Sequence, residues 1–259
     1  MTTKLRILIA GDLFMQPLAF QEALQEQLAD LDYNLEFRTV EFSYPIEGFP
    51  LVDYQLPPRL GGGWDDPTDY PESELEVSEI NEYYGQIDDF VGQIKDEEIL
   101  VVHMSPIPRA VLEQARNLKL IACCRGGPTN INLAAATELG IRVVNAPGRN
   151  AVAVAEFILG LLISQTRHIT EGHIGLTQQG TWKIGLYRGE NAGPEISGRT
   201  VGLIGLGNIG RALARLLSGF QVQLLAHDPY VEDDVFESLN VKRTPLEILY
   251  QASDFVILA

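Results

Sequence analysis

The run VGLIGLGNIG at residues 201–210 limits the possible folds more than any other part of the chain. A β-branched and apolar stretch leads into Gly205, and apolar residues at helical spacing follow Gly210. A second apolar stretch ends in Asp228, which lies 18 residues after Gly210. Strand, glycine-rich turn, helix, strand and terminal acid, in this order, predict a dinucleotide-binding βαβ unit.

The residue types of this unit each have a physical reason. Gly205 permits a tight turn from strand to helix, Gly207 lets a pyrophosphate approach the backbone, and Gly210 lets the helix lie close to the strand. The helix predicted over 209–217 would direct its free N–H groups and its positive dipole end at the phosphates. The cofactor-binding residues predicted in this unit are Gly205, Gly207, Asn208, Ile209, Gly210 and Asp228.

The acid at the end of the second strand distinguishes between cofactors. Asp228 is placed to accept hydrogen bonds from the adenosine ribose hydroxyls, and its charge would repel a 2′-phosphate. The expected cofactor is therefore NAD rather than NADP. An S-adenosylmethionine site of a transferase can also follow a strand with a glycine-rich turn and an acid, and that alternative stays open.

Composition and charge limit the partners. The 259 residues are 46% hydrophobic and 21% charged, which is typical of a soluble globular protein. The net charge of −16 argues against nucleic acid and anionic membranes, because both favour a basic surface. The longest apolar stretch, 151–164, is too short for a membrane span, and the absence of a signal peptide pattern predicts a cytoplasmic location. The adjacent Cys123 and Cys124 have no zinc-ligand spacing, so no metal site is expected.

Strands alternate with helices ahead of the nucleotide unit, which predicts an α/β domain with a parallel sheet. The predicted strands are 5–10, 35–40, 99–103, 118–124 and 141–144, and the predicted helices are 16–31, 74–93, 105–116 and 132–139. The irregular stretch 43–73 holds six prolines. A surface insertion, a lid and a subunit contact all remain open as its role.

An apolar helix is predicted over 151–166, with Asn150 as its cap. It is apolar nearly all round, so we expect it to be buried between domains or subunits. The expected domains are 1–149, which would bind substrate, and 150–259, which would bind the cofactor and includes this helix. Beyond Asp228, the predicted strands are 239–241 and 254–259, with a helix over 245–251 between them.

Four blocks of sequence make the chain resemble the D-isomer-specific 2-hydroxyacid dehydrogenases, the family of D-3-phosphoglycerate dehydrogenase. They are CRGGPTNIN at 124–132, NAPGRN at 145–150 with VAE at 154–156, GTW at 180–182, and the glycine motif with DPY at 228–230. The match is good over 99–259 and loose over the first 98 residues. The resemblance implies a flavodoxin-like substrate domain followed by a Rossmann-type, doubly wound NAD-binding domain.

The resemblance also implies an activity, namely NAD-dependent interconversion of a D-2-hydroxy acid and a 2-keto acid by hydride transfer. Backbone N–H groups of Arg125, Gly126 and Gly127 would hold the substrate carboxylate, and Gly126 would also lie near the nicotinamide end of the cofactor. The Arg125 side chain is either a second carboxylate ligand or a structural, solvent-facing group. Ser105 could contact substrate or serve as the N-cap before Pro106. A homodimer is implied, since in this family the interdomain helix lies near the dimer contact.

The family's catalytic Arg, Glu and His lie beyond the fourth strand of the nucleotide domain. None of the four histidines (His103, His168, His173 and His227) occupies that position, so no catalytic residue is assigned. The run 254–259 is apolar on both faces, which predicts an interior strand of the sheet. We therefore expect that the nucleotide domain is incomplete and that the chain alone turns over no 2-keto acid. The alternative function is a non-catalytic NAD-binding regulator, similar to corepressors of this fold.

Overall fold

Two parallel sheets, each with its own covering helices, organise the chain. The computed structural model describes residues 3–12, 15–41, 79–81, 83 and 87–259. The chain divides into two units, Met1–Pro147 and Gly148–Ala259. The stretch 43–73 lies outside the described residues, as do 74–78, 82 and 84–86 of the helix predicted over 74–93. In the described part of that prediction, only Ile87–Phe90 is an α-helix.

The first unit is a doubly wound α/β domain with the strand order β2-β1-β3-β4-β5, and every pairing is parallel. Its elements are β1 (Thr3–Gly11), α1 (Pro17–Gln27), β2 (Tyr33–Glu41), α2 (Ile87–Phe90), β3 (Ile99–Val102), α3 (Arg109–Gln114), β4 (Leu120–Cys123), α4 (Leu133–Glu138) and β5 (Arg142–Asn145). This is the flavodoxin order, which confirms the predicted fold class. The order reverses between β1 and β3, and ligands of such sheets bind beyond the carboxyl ends of the strands at that reversal.

The central strands of this sheet are buried on both faces. Leu8, Leu100 and Ile121 pack into one core cluster, whereas Ile9 and Val101 pack into another. Successive strand residues point to opposite faces, so continuous apolar runs such as ILVV in β3 supply both clusters.

The second unit has the strand order β8-β7-β6-β9, again parallel throughout. Its elements are α5 (Ala151–Thr166), α6 (Ile169–Thr177), β6 (Thr200–Ile204), α7 (Asn208–Leu217), β7 (Gln223–His227), α8 (Asp233–Ser238), β8 (Lys242–Arg243), α9 (Leu246–Ala252) and β9 (Phe255–Leu258), with 3-10 turns at Ile184–Tyr187 and Ser218–Phe220. The order corresponds to 3-2-1-4 of a dinucleotide-binding sheet, which confirms the Rossmann-type prediction. Apolar residues of β6 and α7, among them Leu203 and Leu213, form its core with Phe236.

One cap prediction is wrong, and a second is confirmed only in position. The helix predicted over 105–116 begins only at Arg109, after an extended Pro108. Because a residue before proline is disfavoured in the α region, Pro106 and Pro108 keep Ser105 and Ile107 out of the helix, and Ser105 is not an N-cap. Asn150 occupies the N-cap position of α5 as predicted, but its side chain makes no capping hydrogen bond.

The long apolar helix α5 has the predicted bounds, and in the single chain it is only partly buried. Its small residues Ala151 and Ala155 are buried, and the helix packs along α7. Val152, Phe157 and Leu161 are each more than half exposed. No single helix among the described residues is long and apolar enough to cross a membrane, although α5 and α6 together, bent by 71° at their break, meet that test by length and composition.

Candidate functional site

The turn between β6 and α7 brings three glycines close to one another. Gly205 has φ +100, and a Cβ there would overlap the carbonyl oxygen of Ala259. A Cβ at Gly210 would lie only 2.5 Å from the carbonyl oxygen of Gly205. A Cβ at Gly207 would meet nothing within 4 Å, so this position faces open space. The two outer glycines are needed for backbone packing, while the middle one leaves room beside the main chain.

Helix α7 begins at this open position. Asn208 and Ile209 form its first residues, directly after an extended Gly207. The N–H groups of a first helical turn have no partner within the helix and point out of its end. Nε of Arg211, in the first turn of α7, donates back to the carbonyl of Leu206 at 2.9 Å. The turn therefore has the donors and the room that a pyrophosphate requires.

The acid after β7 faces the same turn. Oδ2 of Asp228 accepts a hydrogen bond from the N–H of Leu206 at 2.8 Å, and Oδ1 accepts one from the N–H of Tyr230 at 2.9 Å. Partial burial raises the pKa of Asp228, but these donors and the N–H of Val231 outweigh it and leave the pKa below its ordinary range. An ionised carboxylate beside a glycine-rich turn suits ribose hydroxyls and repels a 2′-phosphate. The residues present therefore fit NAD.

A second polar region lies where the strands of the first unit end. The loop of Arg125, Gly126 and Gly127 follows β4, and a Cβ at either glycine would meet nothing within 4 Å. Within the described part of the chain, the N–H groups of these two glycines have no hydrogen-bond partner. The loop itself is held in place, since the Asn145 side chain donates to the carbonyl of Gly126 at 2.6 Å. Bare, unpaired amides on a fixed loop suit a carboxylate.

Two side chains predicted in this region differ in their surroundings. A guanidinium nitrogen of Arg125 lies 3.3 Å from Oγ1 of Thr129, in its own loop. Ser105 is only 2% exposed, and among the described residues its hydroxyl has no hydrogen-bond partner. An unpaired buried hydroxyl costs about 1–3 kcal/mol of stability, and such groups are found where a ligand completes the bonding.

A buried pair that was not predicted from the sequence lies at the ends of the same strands. Oδ2 of Asp12, at the end of β1, lies 3.2 Å from Nδ1 of His103, which directly follows β3. Both side chains are buried. These residues lie where the strand order reverses. The signal that could have identified them is a polar residue directly after each of two buried strands.

Asn130 was also missed, and it joins the two loops of this region. Its side chain is fully buried, and its Nδ2 donates to the carbonyls of His103 and Ser105 at 3.2 and 2.8 Å. The loop after β3 and the loop after β4 are therefore held against each other. Ser105 and the glycines at 126 and 127 lie on these two joined loops.

Comparisons with known proteins agree with these features. Residues 159–259 match the model of the D-isomer specific 2-hydroxyacid dehydrogenase NAD-binding domain. The chain is 35% identical over 186 residues to D-3-phosphoglycerate dehydrogenase of Methanocaldococcus jannaschii, covering 71% of this chain and 34% of that protein. It is 33% identical over 198 residues to hydroxypyruvate reductase of Thermotoga maritima, covering 74% of this chain and 62% of that protein.

A solved structure shows the same fold. The apo-structure of D-lactate dehydrogenase from Escherichia coli superposes with a TM-score of 0.59 at 24% identity, covering 98% of this chain and 65% of that one. The chain spans about a third to two thirds of the length of these three relatives.

Proposed function

Because the chain belongs to the D-isomer specific 2-hydroxyacid dehydrogenase family, we propose that it serves the NAD-dependent interconversion of a D-2-hydroxy acid and a 2-keto acid. The observation that carries this proposal is the ionised carboxylate of Asp228, held 2.8 Å from the N–H of Leu206 beside the open turn at Gly207. Neutral donors for a pyrophosphate and an acid for the ribose lie together in one βαβ unit.

The cofactor residues have separate roles in this proposal. The first-turn N–H groups of Asn208 and Ile209 would hold the pyrophosphate, with Gly207 leaving room for it. Asp228 accepts hydrogen bonds from the adenosine ribose. The bound nicotinamide supplies the site that accepts or donates the hydride.

The substrate residues lie on the two joined loops of the first unit. The unpaired N–H groups at 126 and 127 would bind the substrate carboxylate, with Arg125 adding positive charge beside them. The Ser105 hydroxyl would gain the hydrogen bond that it lacks by contacting a substrate oxygen. We assign no acid–base residue among the side chains of this chain.

We also propose that the chain forms a homodimer through α5 and α6. Val152, Phe157 and Leu161 of α5 and Ile169 and Leu176 of α6 are all more than half exposed. Large apolar side chains that are exposed on two consecutive helices favour an interaction surface over a solvated face.

Titration of the full chain with NADH and with S-adenosylmethionine tests the cofactor half of the proposal. We expect saturable binding of NADH and none of S-adenosylmethionine at equal concentration. The opposite pattern would exclude a dehydrogenase.

Oxamate, an unreactive analogue of a small 2-keto acid, tests the substrate half. We expect it to bind the chain and to bind Gly127→Ala more weakly, because the added methyl group obstructs the approach of a carboxylate to the backbone. The substitution should leave the fold intact, since a Cβ there meets nothing within 4 Å. Binding of NADH without any binding of oxamate would favour a non-catalytic NAD-binding regulator.

A further inference from the structure

Arg243 bonds to the loop that contains Asp228. It lies in β8 and pairs in register with Ala226 of β7. One terminal nitrogen, Nη2, donates to the carbonyl of Asp228 at 2.9 Å and to the carbonyl of Val231 at 2.6 Å. The other, Nη1, forms an ion pair with Asp233 at the start of α8. A single guanidinium therefore bonds to both ends of the turn after β7 and to the helix that follows.

The orientation of this guanidinium is fixed by the core. Its central carbon lies 4.7 Å from the ring centroid of Phe236, a buried residue of the nucleotide-domain core. A planar fork stacked on a ring can satisfy two carbonyls and a carboxylate together, which a lysine ammonium cannot reproduce. Arg243 therefore acts as a rigid brace and not as a mobile surface charge.

This brace bears directly on Asp228. Arg243 holds the main chain of Asp228 through its carbonyl, while the N–H groups of Leu206 and Tyr230 hold its carboxylate. The carboxylate keeps its place beside the glycine turn only if both attachments persist. We propose that Arg243 is a positioning residue for the adenosine ribose, which acts through Asp228 to set the preference for NAD over NADP. This inference rests on the proposed ribose role of Asp228.

Loss of the Arg243 contacts should change the affinities for NADH and NADPH unequally. A carboxylate that is no longer fixed forms weaker hydrogen bonds to a ribose 2′-hydroxyl, so NADH binds less tightly. The same loosened carboxylate can move away from a 2′-phosphate, so NADPH loses less affinity or gains some. A residue with a purely structural role would lower the melting temperature and leave the ratio of the two affinities unchanged.

The experiment measures the Kd of NADH and of NADPH for the full chain and for Arg243→Met. We expect the NADH Kd to rise about tenfold, which corresponds to about 1.4 kcal/mol, and the NADH-over-NADPH preference to fall. Arg243→Lys keeps the charge and should give a smaller change in the same direction, and it decides the question if Arg243→Met does not fold.

Arg199→Met is the matched control. Arg199 directly precedes β6 of the same sheet and forms an ion pair with Asp254 at 3.1 Å. Its side chain is 45% exposed, against 41% for the side chain of Arg243. We expect its NADH Kd to stay within about twofold of the unsubstituted chain, as for other exposed ion pairs.

Asp228→Asn separates the failure of this inference from the failure of the proposed function. It should weaken NADH binding, and adding Arg243→Met to it should cause little further loss, because both changes act on one contact. An Asp228→Asn chain with unchanged NADH affinity would overturn both claims. If Asp228→Asn weakens binding but the Arg243 variants leave the NADH-over-NADPH ratio unchanged, only the role of Arg243 is overturned.

Discussion

Oδ2 of Asp12 lies 3.2 Å from Nδ1 of His103, and both side chains are buried where β1 and β3 end. The same carboxylate accepts hydrogen bonds from the N–H groups of Met15 and Met104, at 3.0 and 2.9 Å. It therefore joins the turn after β1 to the loop after β3. This connection stabilises the edge of the first sheet that carries Ser105.

Asp12→Ala should destabilise the chain by about 1–3 kcal/mol, because it removes the side-chain acceptor of the Met15 and Met104 N–H groups and a buried hydrogen-bond partner of His103. Urea unfolding measures this loss. Glu36→Ala is the control, since the ion pair of Glu36 with Lys4 is about half exposed and should contribute less than about 1 kcal/mol. Equal losses in the two variants would contradict a structural role of the Asp12 contacts.

The contribution of Asp228 to stability should depend on pH. Its pKa in the folded chain lies below the ordinary aspartate value of 3.8, because backbone donors outweigh partial burial. A depressed folded pKa adds stability above the unfolded pKa, and this stability is lost as the pH falls through the folded pKa. The difference in unfolding free energy between the chain and Asp228→Asn should therefore be constant near neutral pH and shrink below about pH 4. Urea unfolding across this range checks the prediction, and a difference independent of pH would refute it.

Two glycines of the same motif should respond differently to alanine. Gly207→Ala should keep the melting temperature and weaken NADH binding, because a Cβ there enters only the open space that the pyrophosphate would use. Gly205→Ala should lower the melting temperature, because φ is +100 and the Cβ would overlap a carbonyl oxygen. Thermal unfolding and NADH titration of both variants provide the comparison. A Gly207→Ala chain with normal NADH affinity would argue against a pyrophosphate at this turn.

Ser105→Ala should be neutral or slightly stabilising in the absence of ligand. The buried hydroxyl has no partner among the described residues, so its removal relieves a desolvation cost of about 1–3 kcal/mol. The same change should weaken oxamate binding, since a ligand hydrogen bond is lost. Thermal unfolding with and without oxamate distinguishes the two effects, and a destabilised variant with normal oxamate affinity would indicate a structural hydroxyl.

Phe157→Glu should dissociate the proposed homodimer. Phe157 is 67% exposed on α5, so the substitution causes no burial of charge in a single chain but places a charge in an apolar contact between chains. Sedimentation velocity measures the change in mass. Leu31→Glu, at another exposed apolar residue, is the control and should not alter the mass.

Local patterns predicted the βαβ unit well. The strand Thr200–Ile204 leads directly into Gly205 as predicted, and α7 begins one residue before the predicted start. Apolar periodicity, glycine spacing and a terminal acid all act within a few positions of the chain, so they can be interpreted without any knowledge of the rest. The predicted start of α3 was wrong, even though the two prolines at 106 and 108 that delay the helix are also neighbours in the sequence.

The sequence by itself predicted the alternation of strands and helices in the first unit, the turn at Gly205 and the acid at Asp228, because each depends on neighbouring residues. Only the tertiary structure decided which distant side chains meet. His103 reaches Asp12 across 91 positions because β3 pairs beside β1, and Arg243 reaches the loop of Asp228 because β8 pairs beside β7. Strand order, unlike helical or strand periodicity, is set by the packing of the whole sheet, and no short segment of the chain encodes it.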